Sequence, residues 1–535
     1  MSDTQVDIQT ILDDLVHQFS DPLALFRELV QNAIDSGTSE VEVRLDFQDP
    51  DDAPSRAIIS VQDWGEGMDR SIIEHKFLRL FSSNKDRDLT KVGRFGIGFV
   101  SVFAIEPQQV VVDTGRSGEY WRVVFDETRS YELYSLDWPV EGTTVRIVKP
   151  MDRRAFEKLR ADSRKALRKW CRHPQIPIYF EGRDVRRDFD VPSKFTTTYS
   201  EEGTRVVMGF NGGDSAPAGY YNRGLTLQER PQRRWPWASY KIDSRYLEHT
   251  LSRDQLLEDG NYAKAVDLLE ELAVDTLPGE LVDELERMAG DDDNPGALYG
   301  TYCGYLAHYL ECGGEFRDGW HNRAVFRSLH SGALTYSEVR DARGSGCLHL
   351  TRFGNLPAGV PGGEHRVLVG YGGMRILLEQ SLGRAPGYLE ERYLIPELLP
   401  AAEDDESREL QQALGTLLES AGVTAPRIVI APSRALPVGL RARVATIVSR
   451  TAEWTVPARD WKSPGLDVRF DDLDRRQTLI INADADSVDN SIELAGAEPE
   501  WAAYALLEGI FGTGCDALVS AASTGRRERS ERTAT

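Results

Sequence analysis

Cysteine is scarce in this sequence. Five occur in 535 residues, Cys171, Cys303, Cys312, Cys347 and Cys515, scattered and never spaced as a CxxC pair. That pattern excludes a disulfide framework, argues against a structural zinc site, and leads us to expect reduced thiols in a cytoplasmic protein. Long apolar runs are missing too: no stretch approaches the ~20 uncharged residues of a membrane helix, and the polar opening MSDTQVDIQT predicts no secretory signal. Positive charge is in deficit, with 63 Lys and Arg against 86 Asp and Glu, a net charge of −23. So acidic a chain argues against non-specific nucleic-acid binding by the whole molecule, while leaving room for a locally basic region. No repeat of fixed period is present. What remains, 41% hydrophobic and 28% charged residues, is the composition of a globular protein long enough for three or four domains of about 150 residues.

Clusters of Gly, Pro and acidic residues mark the breaks. Residues 211–219 (NGGDSAPAG) form a loop within a domain, whereas 290–296 and 396–407 resemble seams. We therefore expect a first domain over 1–150, a middle domain over 151–400, a C-terminal domain over 401–522 and a disordered tail over 523–535. Apolar periodicity predicts helices over 8–19 and 22–35 and strands over 41–47 and 57–63. Four further strands follow at 109–113, 120–126, 131–137 and 143–148, then a helix over 152–171. Strands joined by short turns pair antiparallel, so the class is α+β.

Three motifs in the first hundred residues carry the chemistry. In ELVQNAIDSG, Glu28, Asn32 and Asp35 fall within about 40° of one line on a helix. Two carboxylates and an amide among apolar neighbours can be a solvated stripe, or a base (Glu28) beside an oxygen ligand for Mg²⁺ (Asn32). In DWGEGM, Asp63 ends a strand ahead of two glycines. It can accept a hydrogen bond from an exocyclic amine, with Met68 as a polarizable surface for a ring, or the motif can be a tight turn. In GRFGIGF, Gly93, Gly96 and Gly98 can bring backbone N–H groups to phosphates near a helix start.

In this order, with EGTTVRI behind them, the motifs resemble the ATP-binding fold shared by type II topoisomerases, heat-shock chaperones, sensor histidine kinases and MutL-type repair proteins. FRELVQNAIDS and GRFGIGFVSVF are most similar to the heat-shock protein 90 family. The resemblance implies a two-layer α/β sandwich of the Bergerat type, followed by a mixed α/β middle domain and a smaller α/β C-terminal domain. It implies ATP and Mg²⁺ as cofactors, Glu28 as the base that activates water and Asn32 as the metal ligand. Asp35, Asp63, Gly67, Met68 and Thr143 would surround the nucleotide, and Gly93, Arg94, Phe95, Gly96, Gly98 and Phe99 would line its phosphates. Downstream, GYYNRGLTLQE and YKIDSRYLEHTLSRDQLL resemble that family's middle domain, which places Arg253 as the arginine reaching the γ-phosphate. Asp254 and Leu257 depart from the family pattern, where Glu and Gln are usual; Gln255 is the nearest substitute for the latter.

The implied function is an ATP-driven chaperone working as a homodimeric clamp on client proteins, without membrane or nucleic-acid partners. Two alternatives stand beside it. One is a nucleic-acid-associated ATPase of the MutL or microrchidia type, using the basic helix from Arg153 to Arg172; the other is a nucleotide switch with little hydrolysis. RRWPWASY at 233–240 reads either as domain packing or as an exposed surface for polypeptides.

Overall fold

The first sheet grows from the alternation visible in the sequence. Val41, Val43 and Leu45 share one face of β1 (Val41–Gln48), and Ala57, Ile59 and Val61 share one face of β2 (Arg56–Asp63). Antiparallel pairing, with Val43 opposite Val61 and Leu45 opposite Ile59, buries both sets together. The computed structural model describes residues 12–13, 16–17, 21–81, 98–213, 215–250, 255–291, 296–329, 332–352, 366–370, 372–389, 393–394, 399–400, 404–424, 426–449, 456–457, 461–464 and 466–512. Most of the helix expected over 8–19 lies outside these residues.

β3 (Gln109–Arg116), β4 (Glu119–Asp126), β5 (Tyr131–Ser135) and β6 (Thr143–Pro150) continue the sheet, and β7 (Ile178–Phe180) and β8 (Arg183–Asp184) extend it. Its order is β5-β4-β3-β6-β2-β1-β7-β8, antiparallel except where β7 runs parallel to β1. Helix α1 (Leu25–Asp35) and helix α2 (Arg153–Trp170) share its core: Phe26, Leu29 and Val30 from the first and Phe156 and Leu167 from the second join Val43, Ile59 and Ile147. The α+β class and the sheet–helix sandwich are as expected. The sheet nevertheless takes two strands from beyond residue 150. Of the basic residues of α2, Arg153 pairs with Glu157, Arg160 with Glu181 and Lys165 with Asp162.

Asp113 shows how the sheet uses charge. It is 4% exposed on β3 and accepts from Arg122 of β4 at 2.6 and 2.8 Å and from Arg146 of β6 at 2.7 Å. Burial opposes ionisation, but the two guanidiniums outweigh it and hold the carboxyl below its ordinary range. A depressed carboxyl contributes stability that is present above its unfolded pKa and lost as pH falls through the folded value. Because both arginines are partly solvated, we expect Asp113→Asn to cost only about 1–2 kcal/mol at pH 7. Urea melts at pH 7 and pH 3 check this: the gap between parent and variant should shrink at the lower pH, and an equal loss at both would contradict it.

A second, five-stranded sheet follows: β9 (Thr196–Glu201), β10 (Thr204–Phe210), β11 (Ala216–Asn222), β12 (Leu225–Gln232) and β13 (Ala238–Ser244), ordered β12-β11-β13-β10-β9, and then α3 (Gly260–Glu271). Trp235 and Trp237 are buried, and the Trp237 indole donates to the Ala273 carbonyl at 3.0 Å. RRWPWASY is therefore domain packing and not an exposed apolar surface.

The chain divides into two compact units, 1–277 and 278–535. The second begins with α4 (Leu277–Ala289) and α5 (Gly296–Glu311). It continues through β14 (Phe326–Ser328), β15 (Gly332–Leu334), α6 (Tyr336–Gly344), β16 (Leu348–Thr351), β17 (Arg366–Val369) and α7 (Gly372–Leu382). A Cβ at Gly373 would stand 2.0 Å from the Gly300 carbonyl, so α5 and α7 meet backbone to backbone. After β18 (Tyr393–Leu394) a smaller α/β layer closes the unit. It has α8 (Asp405–Ser420), β19 (Arg427–Ala431), β20 (Ala445–Ser449), β21 (Val456–Pro457), β22 (Gln477–Asn482), α9 (Asp486–Ala495) and α10 (Pro499–Phe511). Its three-stranded sheet, β19-β22-β20, shares one core with the three helices. Among the described residues no helix is long and apolar enough to cross a membrane. Cys171, Cys303 and Cys347 are free thiols, and burial pushes Cys171 and Cys303 up to about 12.

Candidate functional site

Helix α1 is set by its ends. Asp21 accepts from the Leu23 N–H at 2.9 Å and caps the 3-10 turn Pro22–Ala24 that leads into the helix, and Gly37 leaves it at φ +74°. Its last two turns deliver Asn32 and Asp35 to a cavity of about 270 Å³. Leu29, Val61, Met68, Phe99, Val112 and Val145 give that cavity apolar walls, while Asp63, Gly67 and Thr143 also line it.

Asp63 ends β2, where the sheet stops and the backbone turns. Its carboxylate accepts from the Gly65 N–H at 2.8 Å. Burial pushes its pKa up, against the lowering effect of the Gly65 and Thr143 backbone N–H groups. No ion pair to Asp63 is found among the described residues, and a carboxylate holding two backbone N–H groups keeps lone pairs for a further donor in the cavity it lines. The glycines after it are sterically required: at φ +63°, a Cβ on Gly67 would stand 2.1 Å from the Gly115 carbonyl. Gly142, also at φ +63°, would collide with the Asp63 carbonyl.

Thr114, which the motifs did not bring out, knits these pieces together. Fully buried at the end of β3, its hydroxyl accepts from the Met68 N–H at 2.9 Å and lies 3.0 Å from the Thr143 hydroxyl and 3.2 Å from the Gly142 carbonyl. Its one sequence signal is its place just past a predicted strand. Lys76 and Arg116 also line the cavity, with Arg116 paired to Glu66 at 2.9 Å. The apolar chamber suits a ring, and around it stand two cations and three carboxylates, Asp35, Asp63 and Glu66.

Glu28 does not line this cavity. It is 5% exposed and paired with Arg27 at 3.0 Å. The Arg27 guanidinium is itself buried, 4.8 Å over the Trp170 ring and 3.3 Å from Nε2 of His249. Burial lowers its pKa to about 10. Asn32 and Asp35 are thus brought together at the cavity, and Glu28 lies behind them.

Gly93, Arg94, Phe95 and Gly96 lie outside the described residues. Gly98 caps the short helix Phe99–Ile105, and its carbonyl accepts from the Ser101 hydroxyl at 2.7 Å. Phe77 and Phe81 on one side of the undescribed stretch, and Phe99 and Phe103 on the other, gather around Phe125 with ring centroids 4.7–6.4 Å apart. Arg253 also lies outside the described residues. His249 and Leu256 form an isolated antiparallel bridge, and His249 is the residue that touches Arg27. A second arginine was not foreseen: Arg223, at φ +51° in the tight turn between β11 and β12, donates to Asp35. NRG between two strand patterns was its available signal.

Residues 24–156 match the family model described as histidine kinase-, DNA gyrase B-, and HSP90-like ATPase. The N-terminal domain is of this ATPase family. Among curated proteins, the chain is 25% identical over 217 residues to the chaperone protein HtpG of Helicobacter pylori, covering 34% of this chain and 33% of that one. It is 24% identical over 229 residues to HtpG of Actinobacillus pleuropneumoniae, covering 37% of this chain and 33% of the relative. The match thus spans about a third of the length of these relatives.

Proposed function

We propose that this chain is a cytoplasmic, ATP-dependent chaperone of the heat-shock protein 90 type that closes as a homodimer on client proteins. The observation that carries the nucleotide reading is Asp63, a largely buried carboxylate without a cationic partner among the described residues, facing a ring-sized cavity. The exocyclic amine of adenine would be a further donor to it. Gly67, Met68 and Thr143 shape the chamber around the base, with Thr114 holding them in register. Asn32 would hold Mg²⁺ through its amide oxygen, the remaining ligands coming from phosphates and water; bound there, the ion would neutralise phosphate charge.

Gly93, Arg94, Phe95, Gly96, Gly98 and Phe99 are assigned to the phosphate side, Asp35 to the rim and Glu28 to accepting the proton of the attacking water. Since Glu28 is paired with Arg27, taking that role requires it to leave the pair and turn toward the cavity. Arg253 is assigned to the γ-phosphate, and His249, four residues before it, lies 3.3 Å from Arg27. Residues 401–522 are assigned to dimerization and 151–400 to the middle domain.

Calorimetric titration with ATP, steady-state turnover, and sedimentation with and without a non-hydrolysable ATP analogue test the proposal together. We expect binding, turnover, and a dimer that compacts with the analogue. Absence of binding would end the nucleotide reading, and a monomer in both states would end the clamp. Arg253→Ala should slow turnover by ~10- to 100-fold without an equal loss of binding, below the ~10³-fold of many arginine fingers because Leu257 stands where Gln is usual.

A further inference from the structure

A second cavity, in the unit formed by residues 278–535, is lined by four arginines. It has a volume of about 640 Å³ and lies where the end of α6, the end of β16 and α7 meet residues 384–388. Arg343 donates from the last turn of α6 to the Leu382 carbonyl at the end of α7, which anchors one wall. Tyr388 forms a bridge with Leu350 of β16, and the Leu350 N–H donates to the Gly387 carbonyl at 3.0 Å. On that fixed ring lies Arg352, its guanidinium carbon 4.0 Å from the ring centroid. Arg375, in the first turn of α7, and Arg384 complete the set; both are exposed, and neither has an ion-pair partner among the described residues. Glu379 is the one carboxylate among the described residues of the lining.

Among the described residues of the lining, four guanidiniums stand against one carboxylate, in a chain whose total charge is −23. Elsewhere in this protein arginines are routinely matched, as Arg122 and Arg146 are by Asp113 and Arg160 by Glu181. Planar guanidinium forks from separate elements suit phosphate oxygens bidentately. The cations converge on a bounded cavity and do not form an extended stripe, which favours a compact ligand over a polymer backbone.

We propose that this cavity binds a compact anion carrying two or more phosphate groups, held by Arg375 and Arg384 with Arg352 and Arg343 behind them. It is independent of the nucleotide assignment, which rests on other residues in the other unit.

The test is calorimetric titration of the full-length chain with inorganic tripolyphosphate at 0.15 M salt, for the parent and for Arg375→Ala/Arg384→Ala. We expect the double variant to bind at least tenfold more weakly while its thermal unfolding, and its affinity for ATP measured with tripolyphosphate already saturating, stay unchanged. Arg375→Lys/Arg384→Lys, which keeps the charge and loses the forks, should recover only part of the affinity. No binding by the parent, or equal binding by parent and double variant, would overturn the proposal. A single-stranded oligonucleotide or an acidic peptide bound more tightly than tripolyphosphate, and lost in the double variant, would overturn it in favour of that polymer.

Discussion

Asp63→Asn is expected to weaken nucleotide binding by ~100-fold or more. The substitution removes a charge-assisted hydrogen bond worth about 1.5–3 kcal/mol and turns a donor group toward the adenine amine, a mismatch costing a further 1–3 kcal/mol, roughly. The same change should leave the empty protein at least as stable. Burial raises the Asp63 pKa, so any stability it contributes is present at low pH and lost as pH rises through that raised value. At neutral pH the ionised group is a cost, and a neutral amide relieves it. Calorimetry with ATP and a thermal melt without it separate the two effects. Tight ATP binding by the variant would reduce DWGEGM to a turn, and a collapsed melting temperature would make Asp63 a structural residue.

The second large effect concerns Glu28. Glu28→Ala should leave ATP binding within a few-fold of the parent, since its carboxylate does not line the cavity. Turnover should fall by about 10²–10⁴-fold, the range for a lost general base. Removing the carboxylate also leaves the buried Arg27 guanidinium one partner short, so Glu28→Gln is the cleaner probe, keeping an acceptor beside Arg27. A folded Glu28→Gln protein that turns over ATP like the parent would remove Glu28 from the mechanism.

What the sequence makes legible follows from how local each signal is. The strands of the first sheet alternate over five or more residues, so their positions and antiparallel pairing could be read directly. Asp63 and Gly67 announce themselves because a carboxylate at a strand end and a glycine at positive φ are compact local patterns. Thr114 does not: its role depends on Met68 and Thr143, residues 46 and 29 positions away that only the folded sheet brings to it. Arg223 likewise meets Asp35 across 188 residues. Glu28 illustrates a different limit. Helical spacing places it on the line of Asn32 and Asp35, but the side chain follows its buried neighbour Arg27.

The parallel pairing of β7 with β1 bears on where this protein can be cut. The Val41 N–H donates to the Pro177 carbonyl and the Glu181 N–H to the Val43 carbonyl, at 3.0 and 2.9 Å. Phe156, Leu167, Cys171, Ile178 and Phe180 belong to the same core as the strands around Asp63. A fragment ending at Pro150, the expected edge of the first domain, would bare that apolar stripe and leave β1 as an unprotected edge, a template for aggregation. A fragment that keeps this stripe covered therefore ends beyond β8, past Val185, whose side chain is the last of that segment to enter the core.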